Sequence, residues 1–313
     1  MNNWMSRLPN ELKQQSILTL CIPGSHDSGA YNLSTSQPTG HDQPMWKMLR
    51  RLSKLHGSRT IIKRWSETQT LSITDQLNIG IRYLDVRFEL IRKHVEEGDF
   101  NNVKIVHALY GVSAPQFLVE ITDFLNKNPE EIVILDINHV YRMNAPEFAS
   151  YFAHPMLKLI DKDLIWPIES DYTYVTLSKM VSANRRLIIF GPFKACFFNA
   201  INPNTYIISR WPQTNKLSRL LQFMESEIEK TKEKPRLYVL QGVLTASTGD
   251  VIRNFSTSLL RKFGRPSREA TIRFLNSLSN ENKQKLNIVI TDDVNEDFTT
   301  TVININFCEL TRL

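Results

Sequence analysis

The sequence predicts a single α/β domain built as a distorted TIM-type (β/α)8 barrel, on three observations. Eight short runs rich in Val, Ile and Leu recur along the 313 residues, the pattern of strands buried on both faces. Amphipathic helical stretches separate most of them, which indicates a parallel sheet covered by helices. No Gly-rich phosphate fingerprint follows any run, which counts against the alternative, a doubly wound open sheet.

The predicted strands are SILTLCI (16–22), IRYLDVRFEL (81–90), VKIVHAL (103–109), EIVILDI (131–137), RLIIFG (186–191), TYIIS (205–209), RLYVLQGVL (236–244) and LNIVIT (286–291). The first runs into Pro23-Gly24, a pair that predicts its end. The third follows the second with no room for a full helix, hence the distortion. Helical periodicity covers 114–128, 146–160, 176–184, 216–232, 249–263 and 267–278. Asn128-Pro129 stops the first of these.

Composition is that of an ordinary globular chain, 42% hydrophobic and 22% charged, which excludes a disordered class. Cys21, Cys196 and Cys308 are odd in number, far apart and in apolar settings. They predict reduced core thiols in a cytoplasmic protein, neither a disulfide framework nor a zinc site. Neither a signal peptide nor a transmembrane span is apparent. The net charge of +6 is uneven, with seven Lys or Arg and no acidic residue between Gln43 and Ser66. Within this basic amphipathic insertion (43–66), Met45, Met48, Leu49, Leu52 and Leu55 share one helical face. Lys47, Arg50, Arg51 and Lys54 lie around the other. Such a helix suits peripheral contact with an anionic membrane, or equally packs on the protein with its basic face in solvent. No nucleic-acid partner is indicated.

In a barrel of this class, chemistry sits at the carboxyl ends of the strands. The polar residues there are His26 and Asp27 after the first strand, and Asp85 and Arg87 on one side of the second. His107 ends the third, Asp136, Asn138 and His139 the fourth, Gln241 the seventh, and Asp292 and Asp293 the last. Each has a structural alternative: Asp85 and Arg87 as an ion pair, His107 as a core histidine, Asp292 as a helix cap. Two histidines with an arginine suit phosphodiester cleavage by an internal hydroxyl. One imidazole takes the proton from the attacking hydroxyl and the other protonates the leaving oxygen. The guanidinium fork matches a phosphate, whereas it would repel a divalent cation.

IPGSHDS (22–28), TQTLSITDQLNIGIRYLDVRF (68–88), VHALYG (106–111) and VILDINH (133–139) resemble, in this order and spacing, the X-domain of phosphatidylinositol-specific phospholipase C. The resemblance is greatest to the stand-alone X-domain proteins and covers about residues 4 to 308. It implies a distorted TIM barrel and phospholipase C chemistry with a phospholipid partner. By motif, it makes His26 the base for the inositol 2-hydroxyl, His107 the acid for the diacylglycerol oxygen, and Arg87 the phosphate contact. Asp27 supports the leaving-group side, Asp292 orients His26, and Asp85 holds Arg87. Asn138 and Trp211 are substrate-binding candidates, with core packing an equal reading for Trp211. Arg87 stands where calcium-dependent relatives hold an acidic ligand, so no metal and no other cofactor is expected. The family usually has Gly after the second histidine, where this chain has Ala108. The competing class is a headgroup-binding or scaffolding protein with poor turnover. Metal-dependent barrel phosphodiesterases also use two histidines, but Arg87 argues against them.

Overall fold

The structure, a computed structural model, describes residues 1–43, 47, 50–51, 53–91, 98–167, 172–193, 206–230 and 236–307. Among the described residues nine strands form one mixed sheet. They are β1 (Ile22–Ser25), β2 (Tyr83–Leu90), β3 (Val103–His107), β4 (Leu109–Ser113), β5 (Val133–Tyr141), β6 (Leu187–Phe190), β7 (Ile207–Ser209), β8 (Leu237–Gln241) and β9 (Ile288–Thr291). Parallel pairing runs β6-β5-β2-β1-β9-β8-β7, and among the described residues no strand pairing joins β6 to β7. The barrel is therefore open by hydrogen bonding, with β3 and β4 as an antiparallel extension.

Alternation along the strands sorts the side chains. Leu84, Leu135, Ile189, Leu240 and Val289 face the outer layer, against α1 (Ala114–Lys127), α2 (Leu217–Ile228) and α3 (Arg265–Ser277). Ile22, Tyr83, Ile134, Ile188, Val239 and Ile288 face the lumen and pack on Trp4, Met5, Leu8 and Ile17 of the N-terminal segment. Two residues further along the same lumenal face come Asp85, Asp136 and Gln241. The barrel is thus apolar at its floor and polar at its mouth.

Expectations about two of the strands need correction. The run at 16–22 is not the first strand: Ile17–Thr19 is a 3-10 turn, and β1 begins at Ile22. Asn287 Nδ2 donates to the carbonyls of Ile17 (3.0 Å) and Leu20 (2.9 Å), fixing the turn as part of the floor. Pro23-Gly24 does not stop the strand but lies inside it. Pro23 lacks an N–H, yet its carbonyl accepts from Arg82 N–H at 2.9 Å. The indole of Trp4 and the guanidinium of Arg82 satisfy the nearby carbonyls of Gly80 and Ile81 (2.9 and 2.7 Å). Gly24 is needed for close approach, since a Cβ there would lie 2.8 Å from Ile290 Cγ2 and 2.9 Å from Tyr83 Cδ1. Gly24→Ala is expected to cost about 1–3 kcal/mol through overpacking. A lowered urea midpoint at unchanged slope checks this.

The second correction concerns 103–109, which is not a parallel barrel strand. β3 runs antiparallel to β2, with Leu90 opposite Val103 and Phe88 opposite Ile105. β2 rises past the mouth and β3 returns toward it, so His107 arrives from above. Helix 146–160 forms with a π turn at Ala149–Ala153, and another occupies Leu260–Gly264. Each precedes an interior proline by two residues, Pro155 and Pro266, where a wider turn relieves the clash of the ring with the preceding carbonyls.

The apolar face expected at Met45, Met48, Leu49 and Leu52 lies outside the described residues. Lys47, Arg50, Arg51 and Lys54 are exposed, as is Leu55. Helix α4, Ser58–Ser66, ends the basic insertion. Cys196 and Cys308 also lie outside the described residues; Cys21 is a buried free thiol. Among the described residues no helix is long and apolar enough to cross a membrane.

Candidate active site

The loop after β1 is fixed through its backbone. His26 N–H donates to Thr291 O (3.2 Å) and Ser28 N–H to Asp85 O (2.7 Å). Asp27 adopts a left-handed φ of 40°, which Asp tolerates better than most residues. Thr68 Oγ1 donates to Asp27 O (3.0 Å), and Gln69 Nε2 to His26 O (2.8 Å) and Thr291 O (3.2 Å). Gln69 Oε1 then accepts from Val294 N–H at 3.1 Å. Thr68 and Gln69 thereby sew the loop after β1 to the loop after β9. Ser25 and Ser28 bond each other at 2.7 Å and are loop formers.

This scaffold brings five predicted residues together. His26 Nδ1 lies 2.8 Å from Asp292 Oδ1, which leaves Nε2 turned to the pocket, 3.5 Å from Asp27 Oδ2. His107 Nδ1 lies 2.6 Å from the carbonyl of Ser66, which only accepts, so that nitrogen carries the proton. His107 Nε2 then stands 3.6 Å from the same Asp27 Oδ2. Arg87 Nε approaches Asp27 Oδ1 at 2.9 Å. Asp27 Oδ2 is buried without a hydrogen-bond partner, between the Nε2 atoms of two imidazoles. An unsatisfied buried carboxylate oxygen is costly, and this one is faced by both imidazoles.

The charges follow. Burial works against a charged His26, but Asp27, Asp292 and Asp85 outweigh it and raise its pKa to about 9. Burial also works against the Asp27 carboxylate, yet Arg87, His26 and His107 hold it below its ordinary value. Asp85 is pushed the other way, by burial and by the neighbouring Asp27 charge. Asp292 is raised by burial, with His26 opposing. The two neighbouring carboxylates are thus shifted in opposite directions.

Asp85 braces by accepting from Asp27 N–H (3.3 Å) and Asn138 Nδ2 (3.1 Å). The β2–β5 register shifts here, pairing Val86 with Ile137 and Arg87 with His139, so Asn138 is the extra residue of a bulge. Its amide is committed to Asp85. Asp136 accepts from Tyr83 Oη (2.6 Å) and rises to about 7 through burial and the Asp85 charge. Trp211 is not a core residue: it is 40% exposed, edge-on to His26 at 5.8 Å, with Arg87 Cζ 5.8 Å from its ring centroid. Its Nε1 donates to Thr245 Oγ1 at 2.6 Å.

One ligand atom each from His26, Asp27 and Asp85 lie within 4.8 Å of one another, as a metal site requires. The Arg87 guanidinium already occupies Asp27 there, and its positive charge makes this donor set a poor match for a divalent cation.

A family model described as PI-PLC X matches residues 54–210, half of the chain. The chain belongs to the PI-PLC X family. Human PI-PLC X domain-containing protein 2 is 29% identical over 262 residues, 80% of each chain. The variant-surface-glycoprotein phospholipase C of Trypanosoma cruzi is 25% identical over 280 residues, 83% of this chain and 70% of its own. The phosphatidylinositol-specific phospholipase C of Listeria monocytogenes shares the fold, with TM-score 0.67 at 20% identity over 97% of this chain and 98% of its own. The matched PI-PLC X segment holds Arg87 and His107, whereas His26, Asp27 and Asp292 lie outside it.

Sequence reasoning assigned no role to Thr68, Gln69, Ser66 or Asp42. Asp42 accepts from Ala108 N–H with both carboxylate oxygens, at 2.9 and 3.0 Å. Ala108 has φ 58°, a left-handed backbone that costs an L-residue about 1–2 kcal/mol. Its methyl packs into a small cluster with Ala30, Leu33, Ile62 and Leu109. That burial offsets about 0.8 kcal/mol of the backbone cost.

Proposed function

We propose that the protein is a phosphoric diester hydrolase that cleaves a phosphoinositide-type phospholipid to diacylglycerol and an inositol cyclic phosphate. The observation that carries the reading is the pair of imidazole Nε2 atoms on either side of Asp27 Oδ2, with Arg87 on the other oxygen. His26 Nε2 takes the proton of the inositol 2-hydroxyl, whose oxygen attacks phosphorus. The bond from phosphorus to the diacylglycerol oxygen breaks, and that oxygen takes the Nε2 proton of His107 in its imidazolium form, which keeps its Nδ1–H. Arg87 stabilises charge on the non-bridging oxygens, and Asp292 fixes the Nδ1–H tautomer of His26. Exchanged roles then open the cyclic phosphate with water. Trp211 covers the mouth beside the inositol, while Asp85 and Asn138 hold the Asp27 loop from beneath.

The reaction needs no calcium in this reading, because Arg87 supplies the cationic contact. Release of inositol phosphate from phosphatidylinositol vesicles by purified protein tests it. The rate is expected to be the same with excess chelator as with added calcium, and loss on chelation would overturn the metal-free mechanism.

The lipid is reached from a membrane surface by a cytoplasmic, peripherally bound protein. Ile252 and Phe255 are exposed (68% and 58%), and Arg64 of α4 donates to the carbonyls of Phe255 (3.2 Å) and Ser256 (3.3 Å). An apolar edge therefore adjoins the basic insertion. Each basic residue near an anionic surface contributes about 1 kcal/mol. Arg50→Glu with Arg51→Glu is expected to weaken sedimentation with phosphatidylserine vesicles by at least about tenfold. Unchanged sedimentation would remove the insertion from the membrane contact.

A further inference from the structure

The peptide that follows His107 is clamped from both sides. Asp42 takes Ala108 N–H with both carboxylate oxygens (2.9 and 3.0 Å), and Gly40 N–H donates to Ala108 O at 2.8 Å. The strap 40–42 is itself anchored. Glu89, fully buried on β2, accepts from His41 N–H (2.8 Å) and lies 2.6 Å from His41 Nδ1; it also accepts from Tyr110 Oη at 2.7 Å. Gly40 lets the strap lie against β3, since a Cβ there would sit 2.3 Å from Val106 Cγ2. All of this bears on one residue, Ala108, whose left-handed φ of 58° is the conformation glycine adopts without penalty.

We infer that Asp42 is a positioning residue for His107, holding by a charge-assisted clamp the left-handed turn that a glycine at 108 would adopt unaided. The turn sets where β3 ends, and so where His107 Nε2 stands relative to Asp27. Without the clamp, Ala108 relaxes toward ordinary backbone angles and the imidazole leaves the Ser66 carbonyl. The inference rests on the reading of His107 as the acid, but part of its test does not.

The test compares the wild-type protein with Asp42→Ala, Ala108→Gly and the double variant, with Asp42→Asn standing in should Asp42→Ala not fold. The first readout is the slowly exchanging Nδ1–H proton of His107 in 15N-labelled protein. It is expected to be lost in Asp42→Ala and regained in the double variant. The second readout is turnover on phosphatidylinositol vesicles. Asp42→Ala is expected to lower kcat about ten- to a hundredfold with KM within about twofold, the mark of a misplaced group. Ala108→Gly on that background restores kcat to within about threefold.

Asp42 also contributes to the negative field at Arg87, so its removal changes charge as well as shape. Glycine at 108 restores shape alone. A loss that the double variant does not recover assigns the effect to charge and overturns the inference, as does an Asp42→Ala protein that behaves like wild type. If the wild-type protein cleaves no phosphodiester, the functional reading falls, while the Nδ1–H signals of the four proteins still decide the role of Asp42.

Discussion

Alanine at either His26 or His107 is expected to lower kcat on phosphatidylinositol vesicles by about a hundred- to ten-thousandfold, the span of general acid–base contributions. The two losses should differ in kind. His26→Ala removes the base from a site whose Asp292 is buried and then left without its partner. His107→Ala removes the acid, so a substrate whose leaving group needs no proton should recover much of the rate. An inositol phosphodiester with a nitrophenol leaving group supplies that contrast. It should be cleaved by His107→Ala far better than the lipid is, and by His26→Ala no better. Equal rescue of both variants would show that the roles are not divided in this way. Circular dichroism and the urea midpoint check that each variant is folded.

The second large effect is on pH. His26 is held near a pKa of about 9 by Asp27, Asp292 and Asp85 acting against burial, so at neutral pH most of the empty site carries an imidazolium. A base must be deprotonated, and kcat/KM reports the free enzyme. On the nitrophenol substrate, whose leaving group needs no acid, kcat/KM is therefore expected to rise about tenfold per pH unit between about 6 and 8, bending near 9. Because three carboxylates share the charge, the bend belongs to the cluster. Asp292→Asn removes one of them and should move the bend to lower pH while lowering the plateau, since the tautomer is less well held. A flat profile from 6 to 8 on that substrate would remove His26 from the role of base. Stability runs the other way. A histidine whose folded pKa lies above its ordinary 6.5 stabilises the fold fully below that value, and the contribution is lost as pH rises through about 9. Activity on that substrate should climb over the same interval in which the His26 contribution to the urea midpoint disappears.

Much of this site was legible in the primary structure because barrel geometry places strand ends together. His26, Asp27, Arg87, His107 and Asp292 carry side chains whose chemistry is visible in a list of strand ends. Trp211 was only an equal choice between mouth and core, since nothing local to SRWPQTN distinguishes them. What escaped was of two kinds. Backbone groups have no sequence signal, so the Ser66 carbonyl that fixes the His107 tautomer could not be foreseen. Register was the other. The apolar run at 16–22 reads as a strand by composition but serves as the barrel floor, tied down by Asn287. The hairpin of β3 and β4 was hidden because its turn uses Ala108 rather than glycine, and alanine there gives no warning of a left-handed bend. Pro23-Gly24 misled in the opposite direction, because a proline whose neighbouring carbonyls find other donors need not end a strand.

Ser66 and Asp42, the two anchors of His107, stand at the two borders of the basic insertion, one just before Gln43 and the other its last residue. In the proposed reading the two ends of the segment rich in lysine and arginine are thus tied to the imidazole, and thermodynamic linkage applies to such a tie. Any surface that binds the segment more tightly in the arrangement holding His107 raises the affinity for a phosphodiester in the mouth, and an occupied mouth raises the affinity for that surface by the same factor. In that reading a bound surface acts as a cosubstrate of the fold, since its occupancy and that of the pocket are not independent variables.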